Sequence, residues 1–195
     1  MRAAPAARLS VEEYLAGEPA GELRGGEYSD GEVCYPMTSA TWNHGVLTTN
    51  TSRRLAERLD GSCFRLSTSA VKVRISQTQF AVPDLVVVSG KPVFFDDVTD
   101  TITSLKLIVQ VLSPSIRKYD GGLFYLYRQL PSFEEYVLIA QDRAAVQVRR
   151  KAPDGGWVMT FYEGLDSAAK LESLDIELPL AELYAGVDLD PAPTL

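Results

Sequence analysis

The alternation of apolar and polar positions changes rhythm several times along this chain, and each change marks an element. "LSVEEYLAG" reads as a short helix: Ser10 can cap it, Glu13 stands three residues on as in a capping box, and Gly17 can end it. "EYSDGEVCYPM" reads as a hairpin with Asp30-Gly31 as the turn. Residues 40–59 form the next helix, basic towards its C-terminus as the helix dipole prefers, and Asp60-Gly61 stops it. "AVKVRIS" alternates, as a strand with one wet face should. "QFAVPDLVVVSG" and "LKLIVQVLS" are apolar strands joined by an acidic loop with Asp96, Asp97 and Asp100. Leu123, Leu126, Tyr127 and Leu130 then recur at helical spacing, and Pro131 ends that helix. "YVLIAQ", "AAVQVRRK" and "GWVMTFYEG" are three further strands, the last two joined through Pro153-Asp154-Gly155-Gly156. "LPLAELYAGV" is a final short helix. The sum is a mixed α/β (α+β) sheet flanked by helices. We expect one domain over residues 10–187, after a disordered segment 1–9 and before a flexible tail 188–195.

One position breaks the pattern. Gln110 sits inside a run of Leu107, Ile108, Val109, Val111 and Leu112, which suits a strand buried on both faces. A primary amide there must satisfy several hydrogen-bonding positions, and each empty one costs about 1–3 kcal/mol. Either neighbouring backbone binds it or it serves a site.

Composition narrows the classes. The 195 residues suit a single core, and 46% apolar with 23% charged residues is the balance of a soluble globular protein. No apolar run approaches the roughly 20 residues that cross a bilayer, and no apolar stretch follows the first residues as a signal peptide requires. We expect a cytoplasmic protein with no membrane partner, with Cys34 and Cys63 as free thiols. One histidine and no CxxC pair leave little for a Cys/His zinc site. The net charge of −7 argues against a broad, non-specific grip on nucleic acid, although basic residues concentrate mid-chain.

Asp84 begins one apolar strand and Gln110 lies within the next. If those strands are neighbours, two oxygen-bearing side chains converge at one point of the sheet. Hard oxygen ligands so placed can hold magnesium, although an amide brings no charge.

The ordered set "SVEEYLAG", "EYSDGEVCYPM", the helix carrying His44, "VPDLVVV", "LIVQVLSPS", "YD", "LYRQLPSFEEYVLI" and "LESLDIELPLAELYAGV" spans nearly the whole chain. In this it resembles the bacterial restriction-endonuclease-like family sometimes called Uma-two, a branch of the PD-(D/E)xK nuclease superfamily. The resemblance implies a restriction-endonuclease-like fold and a DNA endonuclease that uses Mg2+ or Mn2+. The metal would be held by the PD aspartate, here Asp84, and by a glutamate on the following strand, here Gln110. It also implies a homodimer. The chain departs from the family pattern elsewhere. Leu112 occupies the usual lysine position of the superfamily, "DGGLFYLYR" lacks the lysine of this branch, and Ala70 stands where relatives often carry aspartate. A degenerate centre with weak or no activity follows.

Alternatives stand beside each candidate. Asp84 is either a turn residue or a metal ligand. His44 is a capping or solvent-facing residue, or it borders the site. Glu32 is an exposed hairpin residue or faces the cleft. Asp120 is a helix N-cap or lines the site, and Lys118 is the candidate to replace the missing catalytic lysine. Arg53, Arg54 and Arg58 are a solvated face or a phosphate-binding strip.

Overall fold

The longest apolar runs of the chain become the central strands. The computed structural model describes residues 8–17, 26–34, 41–68, 71–97, 100–112 and 120–189. The expected segment 1–9 and tail 188–195 therefore lie mostly outside the described residues. At their inner ends Leu9 donates its N–H to the Gly31 carbonyl, and Leu189 packs on the core.

Six strands build the main sheet: β3 (Phe64–Thr68), β6 (Leu85–Ser89), β7 (Leu107–Leu112), β8 (Glu135–Ala140), β9 (Ala145–Lys151) and β10 (Trp157–Glu163). Their spatial order is β10-β9-β8-β7-β6-β3, and every pair is antiparallel except β7 with β8. A parallel pair needs a crossover, and α3 (Asp120–Tyr127) lies in it. Side-chain alternation divides the core in two. Leu85, Val87, Leu107, Val109 and Val111 face the layer of α2 (Trp42–Leu59) and α4 (Leu180–Leu183), whereas Val86, Val88 and Ile108 face the layer of Phe124, Tyr127 and Tyr136.

α2 buries His44, Leu47, Thr51, Leu55 and Leu59, a stripe at three- and four-residue spacing. Its cap is Thr41, whose Oγ1 accepts the His44 N–H at 3.1 Å. At the other end Glu182 on α4 pairs with Arg54 at 3.2 Å and Arg58 at 2.9 Å. Two of the three arginines weighed as a phosphate strip thus clamp one helix to another.

A second sheet, in the order β2-β1-β5-β4, consists of β1 (Glu27–Ser29), β2 (Glu32–Cys34), β4 (Val73–Arg74) and β5 (Gln79–Ala81). Asp30 and Gly31 turn the β1–β2 hairpin with φ of 49° and 97°. The capping box of α1 (Val11–Gly17) forms as expected: Glu13 accepts from the Ser10 N–H at 2.7 Å, and Ser10 Oγ accepts from the Glu13 N–H at 3.1 Å.

Two expectations need correction. "QFAVPDLVVVSG" is not one strand, because the chain leaves the second sheet after Ala81 and enters the main one at Leu85. Pro83 falls at the break, where a residue without an N–H costs no ladder bond. The wet face of "AVKVRIS" is also not wet at Lys72. This lysine is buried, with Nζ 3.8 Å from the centroid of the Tyr14 ring on α1. A further hairpin, β11 (Ala168–Leu171) with β12 (Ile176–Pro179), precedes α4.

Candidate functional site

Asp84 lies at the break between the two sheets, one residue before β6. The β6–β7 register runs Val87 to Leu107, Val86 to Ile108 and Leu85 to Val109. Continued by one step, it sets Asp84 opposite Gln110. Both side chains are buried, at 8% and 7% exposure. The register so extended places these two oxygen-bearing residues opposite each other on neighbouring strands. No partner for the Gln110 amide is found among the described residues.

Among the described residues Asp84 makes two close polar contacts. β7 runs on beyond its pairing with β6, and the N–H of Val111 is donated to Asp84 Oδ2 at 2.8 Å. The carboxylate thus takes the place of a further strand acceptor. Asp84 Oδ1 lies 3.3 Å from His44 Nε2, within ion-pair range when the ring is protonated but not aligned as a hydrogen bond. His44 is 4% exposed, the first residue of the buried stripe of α2. It neither faces solvent nor caps the helix, since that cap belongs to Thr41.

Two further groups belong to the same electrostatic neighbourhood, and sequence reading passed over both. Glu27 Oε1 accepts the N–H of Val82 at 3.2 Å, two residues before Asp84. Burial raises the Glu27 carboxyl above its ordinary range, the Val82 bond opposes this, and the Asp84 charge adds to the rise. Tyr127, from α3, is fully buried, and its phenol is pushed well above its ordinary value by burial first and then by Glu27 and Asp84. It stays a neutral hydroxyl. The signals for both were faint. Glu27 starts a three-residue strand far away in sequence, and Tyr127 matched the apolar spacing of its helix.

The other candidates fall elsewhere. Glu32 is exposed on β2, 4.0 Å from Arg8, so the carboxylate this hairpin sends inward is Glu27. Asp120 is the first residue of α3. Lys118 and Ala70 lie outside the described residues.

A divalent cation that prefers oxygen ligands would meet poor terms here. Asp84 already serves Val111 and His44, and Gln110 brings no charge. Among the described residues no three His, Cys, Asp or Glu side chains gather closely enough to hold a metal ion. This donor set does not fit a tightly held metal. Among the described residues no helix is long and apolar enough to cross a membrane.

The chain has relatives along almost its whole length. An uncharacterized protein of Synechocystis sp. (slr1290) is 32% identical over 94% of this chain and 95% of its own. A second one (sll1609) is 29% identical over 86% of this chain and 95% of its own. Among solved structures, the fold resembles that of a protein from Anabaena variabilis described as "a putative nuclease belonging to DUF820". The TM-score is 0.70 at 15% identity, covering 91% of this chain and 98% of that one. The model of the family Uma2, described as "Putative restriction endonuclease", matches residues 11–181, and the chain belongs to that family.

Proposed function

We propose that this chain carries the centre of a metal-dependent DNA endonuclease of the PD-(D/E)xK type in degenerate form, with weak or no activity. Family membership and the nuclease-like fold support the general reading. The observation that carries the degenerate form is the pairing of buried Asp84 with a buried neutral amide, Gln110, where the family resemblance expects a second carboxylate. In this reading Asp84 and Gln110 are the positions that would hold Mg2+ or Mn2+, and Lys118 is the candidate for the missing lysine. His44 holds Asp84 in its buried position, and neutral Tyr127 offers a hydroxyl beside it. The protein acts as a homodimer in the cytoplasm. No hydrolytic step is assigned to a metal, because the donor set does not fit one tightly.

The test is calorimetric titration of Mn2+ into the wild-type chain, Asp84→Ala and Gln110→Glu. Weak saturable binding that disappears in Asp84→Ala and tightens by about tenfold or more in Gln110→Glu supports the reading. Equal binding by wild type and Gln110→Glu would exclude Gln110 from the site.

A second reading is an inactive relative that binds nucleic acid or protein through the same cleft. Its protein-binding form is favoured by the carboxylate of Glu27 beside Asp84, since a site that grips a phosphate backbone needs cations. Salt-sensitive retention of DNA without cleavage would select its nucleic-acid form.

A further inference from the structure

β10 is an edge strand with none of the usual protection. It closes one side of the six-stranded sheet. Natural edges commonly carry lysine, proline or a bulge, which discourage pairing with another chain. Residues 157–162 read Trp-Val-Met-Thr-Phe-Tyr. Val158, Met159 and Phe161 are 45%, 50% and 64% exposed.

Backbone geometry decides which groups look outward. Gly164 donates its N–H to Ala144 of the inner neighbour, and Gly156 accepts from Ala152. Even-numbered positions of β10 therefore bond inward to β9, and the alternation of an antiparallel pair turns Trp157, Met159, Phe161 and Glu163 outward. Among the described residues, the one of these outward groups that is taken is the Glu163 carbonyl, by the Ser167 hydroxyl.

We propose that β10 pairs antiparallel with β10 of a second copy about a two-fold axis at Thr160, joining two sheets into one of twelve strands. This gives the homodimer suggested above a specific interface, although it does not depend on the nuclease reading. In that register Met159 faces the partner's Phe161 and Trp157 faces the partner's Glu163. Those are the outward-bonding positions, so the backbone groups meet in register. Met159 and Phe161 share one face of the strand, and two copies of each form a sulfur–aromatic cluster across the axis. Thr160 meets its own copy in the close, non-hydrogen-bonded type of pair, with Cα atoms about 4.5 Å apart.

Charge favours a second copy over another occupant. The Trp157 end of the edge is flanked by Lys151, its partner in β9, and further in by Arg149; Arg150 is paired with Glu172 at 3.0 Å. The opposite end carries Glu163 and Asp166. Antiparallel self-pairing sets each basic end beside an acidic one. Asp154 at the basic end is occupied by its own turn, where Oδ1 accepts the Gly156 N–H at 2.9 Å.

The test is the mass of the full chain in solution by sedimentation equilibrium, for wild type, Phe161→Lys and Thr160→Pro. A wild-type dimer is expected, with dissociation constant on the order of micromolar. Phe161→Lys should raise that constant about tenfold or more with its thermal melt unchanged. Because Thr160→Pro also removes an inward ladder bond and so strains the fold itself, a gain-of-signal variant stands beside it. Thr160→Cys in a Cys34→Ser, Cys63→Ser background should form a disulfide-linked dimer on mild oxidation, while Glu177→Cys in that background should not. A monomer at all soluble concentrations, a dimer indifferent to Phe161→Lys, or no cross-link through position 160 would overturn the proposal. None of these outcomes bears on metal or DNA binding, which the calorimetric test addresses separately.

Discussion

His44 Nε2 stands 3.3 Å from Asp84 Oδ1, and both side chains are shut away from solvent. The contact joins α2 to the end of the central sheet. Removing the imidazole takes its polar contact from the buried Asp84 Oδ1 and opens a void in the helix–sheet seam. His44→Ala should cost about 1–3 kcal/mol, read as a lower urea midpoint with an unchanged slope. A neutral result would mean that water reaches Asp84 and that the site is open.

Glu27 predicts a pH dependence. Its carboxyl is raised in the folded chain, so the native state holds that proton more tightly than the unfolded one does. The penalty is absent at low pH, sets in as pH rises through the ordinary carboxylate range towards the raised native value, and is complete at neutrality. Glu27→Gln keeps an oxygen for the Val82 N–H and carries no charge. It should melt higher than wild type at pH 7, with the difference vanishing near about pH 4. For a chain of this size each 1 kcal/mol corresponds to about 2–4 °C. Melts that differ equally at both pH values would refute the raised carboxyl.

Glu135 is the most deeply buried carboxylate of the main sheet. It accepts from the N–H groups of Glu172 and Ser173 at 3.2 and 3.3 Å, and from Ser173 Oγ at 2.7 Å. It thereby pins the turn of the β11–β12 hairpin to β8. Glu135→Ala orphans three donors and should cost about 2–4 kcal/mol, whereas Ser173→Ala should cost about 1. Comparable losses from the two would mean that the backbone bonds contribute little.

Restoring the lost groups tests the chemistry. Gln110→Glu combined with Leu123→Lys supplies the carboxylate and the lysine that the proposed centre lacks. The double variant should cleave DNA with Mn2+ about 10²-fold faster than wild type, the usual size of one such electrostatic contribution. A plasmid-nicking assay with Asp84→Ala added as a control reads it out. No gain, in a variant that binds the metal, would locate the defect outside these two positions.

Local rules sufficed for much of this fold. The capping box at Ser10 and Glu13, the Asp30-Gly31 turn and the two apolar strands of the centre all rest on short-range sequence patterns, and the structure contains each. That the strands carrying Asp84 and Gln110 are neighbours was legible because consecutive apolar runs pair readily in one sheet. Glu27 was not, since it reaches the site from a separate small sheet whose packing no local pattern encodes. Lys72 failed for the same reason: alternation correctly put it opposite Val73, but only tertiary structure brings Tyr14 of α1 over that face. His44 lay on a legible stripe, and its rank as the first member of that stripe was the missed signal.

The carboxylate of Asp84 completes a ladder that β6 leaves short, by taking the Val111 N–H. This sets an order on how such a centre can erode. An aspartate that also finishes a sheet is retained by folding even when no reaction selects for it, while a glutamate opposite it, or a lysine on a nearby helix, can be replaced at little structural cost. In a lineage drifting away from hydrolysis, the aspartate outlasts its partners. On the proposed reading, Asp84 would be held in place by architecture whatever chemistry its neighbours retain.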